Sequence, residues 1–178
     1  ALFMAFTRSI IRSNLDHTPF PAAGITRANH LICQESDNGL FVTMFYGLLN
    51  PNTGELTYVN AGHNPPILVV TSGPTPAYST TWLTNTGMAL GIQEEATYTQ
   101  GSLQLNPGDF IVMYTDGVTE AMDAGDDLFG MERLQRVLLE NQNKPAAEIA
   151  SALERAIDQF TGALPPHDDI TIVITKRK

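Results

Sequence analysis

The chain has 178 residues, with 43% hydrophobic and 16% charged side chains, which is enough for one folded domain with a sizeable core and unlike a disordered segment. Its net charge of −9 and its ten scattered lysines and arginines count against nucleic-acid binding, which needs clustered basic groups. The single cysteine, Cys33, excludes an internal disulfide framework, and no apolar run approaches the roughly 20 residues of a membrane span. With no signal-peptide pattern either, a soluble, cytoplasmic protein is expected.

The chain opens inside an apolar, uncapped helix pattern, Ala1-Leu2-Phe3-Met4-Ala5-Phe6, that continues to about residue 13. Pro19-Phe20-Pro21 breaks it, and a second helix is expected over 22–36. Strands are expected over 41–49, 56–60 and 67–70, the first two joined by the turn sequence Asn50-Pro51-Asn52-Thr53-Gly54. Gly73-Pro74-Thr75-Pro76 opens a loop region to about residue 91. Residues 98–105 alternate weakly, and Asn106-Pro107-Gly108-Asp109 turns the chain into a strand over 110–115. Met131, Leu134, Val137 and Leu138 recur at helical spacing, as do Ile149, Leu153, Ala156, Ile157 and Phe160. Pro145 suits the start of that last helix, and Gly162 followed by Pro165-Pro166 suits its stop. A final strand is expected over 170–175. Hairpin-linked strands with helices gathered at the two ends predict an α+β fold with mainly antiparallel sheet.

Two carboxylates stand out. The earlier strand, from Phe110, ends with Asp116, followed by Gly117, and the final strand begins with Asp168-Asp169. If these strands are antiparallel neighbours, Asp116 and Asp168 meet at one edge of the sheet. Strand parity places Asp168 with Ile170, Ile172 and Ile174, so Asp168 rather than Asp169 is the expected partner of Asp116. Two unpaired carboxylates about 4 Å apart repel by roughly 4 kcal/mol at an effective dielectric near 20. With no basic residue close by in the sequence, a hard divalent cation is one solution, and two strand-end turns without a ligand are the other. Gly117 serves either, as a turn residue or by permitting close approach to the backbone. A haloacid-dehalogenase-type nucleophile does not fit, because its position is occupied by Tyr114.

Four ordered segments carry a family resemblance. They are Asn60-Ala61-Gly62-His63-Asn64-Pro65-Pro66, Leu105-Asn106-Pro107-Gly108-Asp109, Tyr114-Thr115-Asp116-Gly117-Val118-Thr119-Glu120-Ala121 and His167-Asp168-Asp169-Ile170-Thr171. Together with Gly87-Met88-Ala89-Leu90-Gly91-Ile92 and Phe129-Gly130, they resemble the SpoIIE-type, RsbU-like branch of the bacterial PP2C serine/threonine phosphatases. The resemblance spans nearly the whole chain. It implies a four-layer αββα sandwich of two antiparallel sheets flanked by helices, with residues 1–178 forming the C-terminal major part of a single PP2C-like phosphatase domain. It implies a two-metal centre of Mn²⁺ or Mg²⁺ at which an activated water hydrolyses phosphoserine or phosphothreonine without a phosphoenzyme. Asp116 and Asp168 then carry over as metal ligands, with Asp169 in a supporting place.

The resemblance also has a gap. Family members carry an early acidic motif and a Gly-Asp-Val-Ser-Gly-type loop just ahead of a helix like Ala1-Leu2-Phe3-Met4-Ala5, so the domain is expected to be N-terminally truncated here. The metal centre is then incomplete, and the segment alone is expected to be weak or inactive. His63 could give a proton to a leaving group or hydrogen-bond its own turn. Glu120, Asp123, Asp126 and Asp127 form an acidic loop, read as largely solvated. The family further implies a phosphorylated regulatory protein as substrate, such as an anti-sigma-factor antagonist. A sensor or receiver domain in the parent chain, and a homodimer switched through the first helices, are implied too. The competing expectation is a partner-binding module with a degenerate phosphatase fold.

Overall fold

In a computed structural model of the chain, the described residues are all except 1, 17, 19, 36–38, 72–78, 85, 163 and 165–167. In chain order the elements are α1 (Leu2–Leu15), α2 (Pro21–Glu35), β1 (Met44–Leu49), β2 (Glu55–Ala61), β3 (Ile67–Val70), β4 (Ser79–Trp82), β5 (Gly101–Gln104), β6 (Phe110–Tyr114), α3 (Asp116–Thr119), α4 (Gly130–Asn141), α5 (Ala146–Thr161) and β7 (Ile172–Lys176). Two antiparallel sheets result, ordered β1-β2-β5 and β4-β3-β6-β7. The expected α+β class with antiparallel sheets is therefore observed. Among the described residues no helix is long and apolar enough to cross a membrane.

The chain divides into two compact units. The first comprises Ala1–His63 and Thr84–Gln104, the second Asn64–Leu83 and Leu105–Lys178. In the first, Pro21 opens α2, where its missing N–H costs no hydrogen bond. Gly24 lets α2 approach the end of α1: a Cβ there would lie 2.8 Å from the Asn14 carbonyl oxygen. β1 and β2 pair from Met44↔Ala61 to Leu49↔Leu56. Their turn is held by Asn50, whose Oδ1 accepts the N–H groups of Asn52 at 3.0 Å and Thr53 at 3.2 Å. Leu15, Ile25, Ile32, Val59, Leu90 and Tyr98 form this unit's core.

In the second unit β6 is central, paired with β3 and β7. The inward residues Ile67, Val69, Phe110, Val112 and Tyr114 pack against Leu134 and Leu138 of α4 and Ile149, Leu153 and Ile157 of α5. The i, i+4 spacing of the last three puts them on one helix face, which is why the sequence shows them so clearly. α5 starts after Pro145 and stops at Gly162, whose φ of 64° ends it as expected.

Three sequence expectations shift. β4 lies inside the stretch read as loop, because four residues, Ser79–Trp82, give too short a pattern to recognise without their partner β3. The alternation read over 98–105 yields a strand only from Gly101 to Gln104. The first strand begins at Met44, while Val42 makes only an isolated bridge to Leu90. The Gly73–Pro76 segment, His17, Pro165-Pro166 and His167 lie outside the described residues.

Candidate functional site

β6 and β7 are antiparallel neighbours, paired from Phe110↔Lys176 to Tyr114↔Ile172. Beyond Tyr114 the pairing continues through side chains. The Thr115 N–H donates to the Thr171 carbonyl at 3.1 Å. The Thr115 hydroxyl donates to the Asp169 carbonyl at 2.8 Å and accepts the Thr171 N–H at 2.9 Å. This seam carries the chain from β6 into the turn of helix α3, which begins at Asp116. Asp116 thus heads a short helix rather than ending a strand, and Asp168-Asp169 stand ahead of β7 rather than opening it.

Gly117 is the contact between the two segments. A Cβ on it would lie 2.7 Å from the Asp169 carbonyl oxygen and 3.4 Å from that of Asp168. The structure therefore brings Asp116, Gly117, Asp168 and Asp169 to one rim of the four-stranded sheet. The Asp116 Oδ1 accepts the Gly117 N–H at 3.1 Å, and the Asp168 Oδ1 accepts the Asp169 N–H at 2.7 Å. Both carboxylates are exposed and neither forms an ion pair among the described residues. Asp169 contributes to the seam through its carbonyl. Behind the rim, the buried Tyr114 phenol donates to the Met131 Sδ at 3.6 Å, and burial pushes its pKa up to about 12.

This donor chemistry suits a hard cation, since two exposed carboxylates supply oxygen ligands and no thiolate or imidazole competes in the described rim. No group of three or more His, Cys, Asp or Glu side chains among the described residues could hold a metal ion. The rim thus presents two exposed carboxylates, Asp116 and Asp168, on neighbouring segments.

The other motifs have structural work. Asn60 is buried, and its Oδ1 accepts the His63 N–H at 2.9 Å while its N–H donates to the Thr86 hydroxyl at 2.9 Å. Gly62 between them has a φ of 71°, and a Cβ there would lie 2.8 Å from the Ala89 nitrogen. The His63 ring is 3.5 Å from the Thr43 hydroxyl through Nδ1, within the first unit. Asp109 is fully buried; its carboxylate accepts the N–H groups of Thr71 at 2.8 Å and Asn106 at 2.9 Å. In the acidic loop, the Asp123 Oδ1 accepts the N–H groups of Gly125 at 2.8 Å and Asp127 at 3.0 Å, a turn-holding role. Sequence reasoning missed Thr115, whose only signal was its place between a buried strand and the Asp-Gly pair.

The family model for Stage II sporulation protein E (SpoIIE) matches residues 1–178. Protein IcfG of Synechocystis sp. is 30% identical over 149 residues, covering 84% of this chain and 23% of IcfG. Phosphoserine phosphatase RsbU of Bacillus subtilis is 29% identical over 178 residues, covering 98% of this chain and 51% of RsbU. The chain thus spans about half or less of the length of these relatives. Among solved structures, the SiaA-PP2C domain of Pseudomonas aeruginosa matches with a TM-score of 0.80 at 19% identity, over 99% of this chain and 69% of that one. The catalytic domain of the serine/threonine protein phosphatase PstP, in complex with two manganese ions, matches with a TM-score of 0.64 at 16% identity, over 96% of this chain and 80% of that one. These likenesses show a PP2C-like fold, and the full-length match to the family model shows that the chain belongs to the SpoIIE family.

Proposed function

We propose that this chain forms part of the catalytic domain of a metal-dependent protein serine/threonine phosphatase in bacterial signalling, with Asp116 and Asp168 as metal ligands. The observation that carries the reading is the rim itself. Two exposed carboxylates without ion-pair partners among the described residues stand on segments locked together by Thr115 and Gly117, in a member of the SpoIIE family. The RsbU name, phosphoserine phosphatase, and the two manganese ions of PstP support the reaction and the metal.

Mn²⁺ or Mg²⁺, when bound, supplies activation of water and neutralisation of charge on the phosphoryl group. The chain's own residues do the positioning. Asp116 and Asp168 offer carboxylate oxygens from two segments, and their shared backbone seam fixes the spacing that a hard ion demands. Gly117 and the Asp169 carbonyl set that seam. His63 stands in the Asn60 turn, its N–H donated to the Asn60 Oδ1. A phosphorylated regulatory protein, such as an anti-sigma-factor antagonist, is the proposed substrate. A sensor or receiver domain elsewhere in the protein and a homodimer are the proposed regulatory setting.

The test is hydrolysis of a phosphoserine protein substrate with Mn²⁺, by the parent protein and by its Asp116→Ala variant. Turnover should vanish in the variant and on chelation while the far-UV circular dichroism stays unchanged; unaltered kinetics in Asp116→Ala removes it from the mechanism. The second reading, a partner-binding module without turnover, is favoured by the absence of a three-ligand group among the described residues. Stable binding of a phosphorylated partner with no hydrolysis at any Mn²⁺ concentration would select it.

A further inference from the structure

A cleft of about 290 Å³ opens beside Asp168 in the second unit, with Gly117 and Asp168 forming its near wall. Its floor is apolar and includes Ile157, Leu164 and Ile170. Leu164 and Ile170 are 41% and 38% exposed, a cost that an occupant lying over them would relieve. Glu120 and Asp158 line the rim with Asp168, and no lysine or arginine among the described residues lines the cleft. Neither the Glu120 nor the Asp158 carboxylate has an ion pair or side-chain hydrogen bond among the described residues. Thr161 and Gly162, the C-terminal end of α5, complete the wall and turn the helix's negative pole toward the space.

Apolar floor, acidic rim and helix C-terminus ask for one kind of occupant: a long apolar stem with a cationic head. An isolated divalent ion does not meet this description, because it would leave the apolar floor of Ile157, Leu164 and Ile170 uncovered. An acidic side chain would face three carboxylates. We propose that the cleft receives a lysine or arginine side chain flanking the phosphorylated residue of the substrate. The stem lies on Leu164 and Ile170, and the head meets Asp158 and Glu120. The inference rests on the phosphatase reading and deepens it, because the cleft and the proposed metal rim share Asp168. It assigns Asp158 as a specificity-determining residue outside the metal site. A cation there also offsets repulsion between the phosphoryl group and this acidic protein.

The experiment uses phosphoserine peptides carrying arginine, norleucine or glutamate at each flanking position in turn. It reads kcat/KM with Mn²⁺ and, separately, the Kd of the matching non-hydrolysable phosphonate peptides. At one position arginine should exceed glutamate by about fivefold or more, with norleucine between them, since a partly exposed charge pair is worth up to ~1 kcal/mol. Asp158→Lys should invert that order while leaving p-nitrophenyl phosphate hydrolysis unchanged. Equal values at every position, or a preference untouched by Asp158→Lys, overturns the inference while the phosphatase reading stands. A preference that disappears as Mn²⁺ is raised also overturns it, by showing an ion in the cleft. If the parent protein hydrolyses no peptide, the phosphatase reading fails, and the turnover-free binding arm, phosphonate Kd with the Asp158→Lys inversion, still decides the cleft.

Discussion

Gly117→Ala is the smallest perturbation that separates the two halves of the proposed metal rim. Gly117 is buried and does not have a positive φ, so the substitution tests space rather than backbone conformation. The new methyl would lie 2.7 Å from the Asp169 carbonyl oxygen, 3.2 Å from its carbonyl carbon and 3.4 Å from the Asp168 oxygen. All three are backbone atoms, so no side chain can swing away. The segment carrying Asp168 must move by several tenths of an ångström or α3 must. Overpacking of this kind costs about 1–3 kcal/mol. For a chain of this size, ~2 kcal/mol lowers Tm by about 4–8 °C. Because the shift separates Asp116 from Asp168, Mn²⁺ affinity should fall by about tenfold or more, the scale of losing ligand positioning. Thermal unfolding and calorimetric Mn²⁺ titration read the two effects independently. Wild-type Tm and wild-type Mn²⁺ affinity in Gly117→Ala would refute the seam as the device that sets the rim.

Asp109→Ala should destabilise the second unit by about 1–3 kcal/mol by denaturant titration, because it removes a fully buried carboxylate that accepts the N–H groups of Thr71 and Asn106. Tyr98 is buried with no partner for its hydroxyl among the described residues, so Tyr98→Phe should raise stability by about 1 kcal/mol. Burial, with a smaller contribution from Cys33, lifts the Tyr98 phenol from 10.0 to about 12. Its folded-state pKa is thus raised, so its contribution to stability is complete below pH 10.0 and is lost as pH climbs toward about 12. Tyr98→Phe should flatten that alkaline loss in a pH series of melting curves. The Cys33 thiol is also held above its ordinary range, first by burial and then by Glu94, so its iodoacetamide labelling should be slower than that of a free thiol at neutral pH.

The legible parts of the sequence were those where one physical signal dominates. α5 shows as a single apolar face because Ile149, Leu153 and Ile157 sit one turn apart against one sheet. The approach of the Asp116-Gly117 and Asp168-Asp169 segments follows from two strands and the antiparallel rule, with Tyr114 paired to Ile172 at the ends of β6 and β7. What was not legible depends on partners distant in sequence. β4 is a strand because β3 offers it a ladder, and its Ser79–Trp82 sequence alone says little. Thr115 looks like an ordinary strand threonine until Thr171 and Asp169 are beside it. The roles of Asp109 and Asn60 are of the same kind. Their motifs were recognisable as turns, but the Asp109 carboxylate also accepts the N–H of Thr71, 38 residues away, and the Asn60 N–H donates to the Thr86 hydroxyl, 26 residues away.

The claim on which the functional account depends is that Asp116 and Asp168 hold a divalent cation between them. Electron paramagnetic resonance titration of Mn²⁺ with the protein, Asp116→Ala and Asp168→Ala measures this without any substrate. The account requires saturable binding by the protein and about a tenfold or greater loss of affinity in each variant. Equal Mn²⁺ affinity in all three proteins, each still folded, would contradict it.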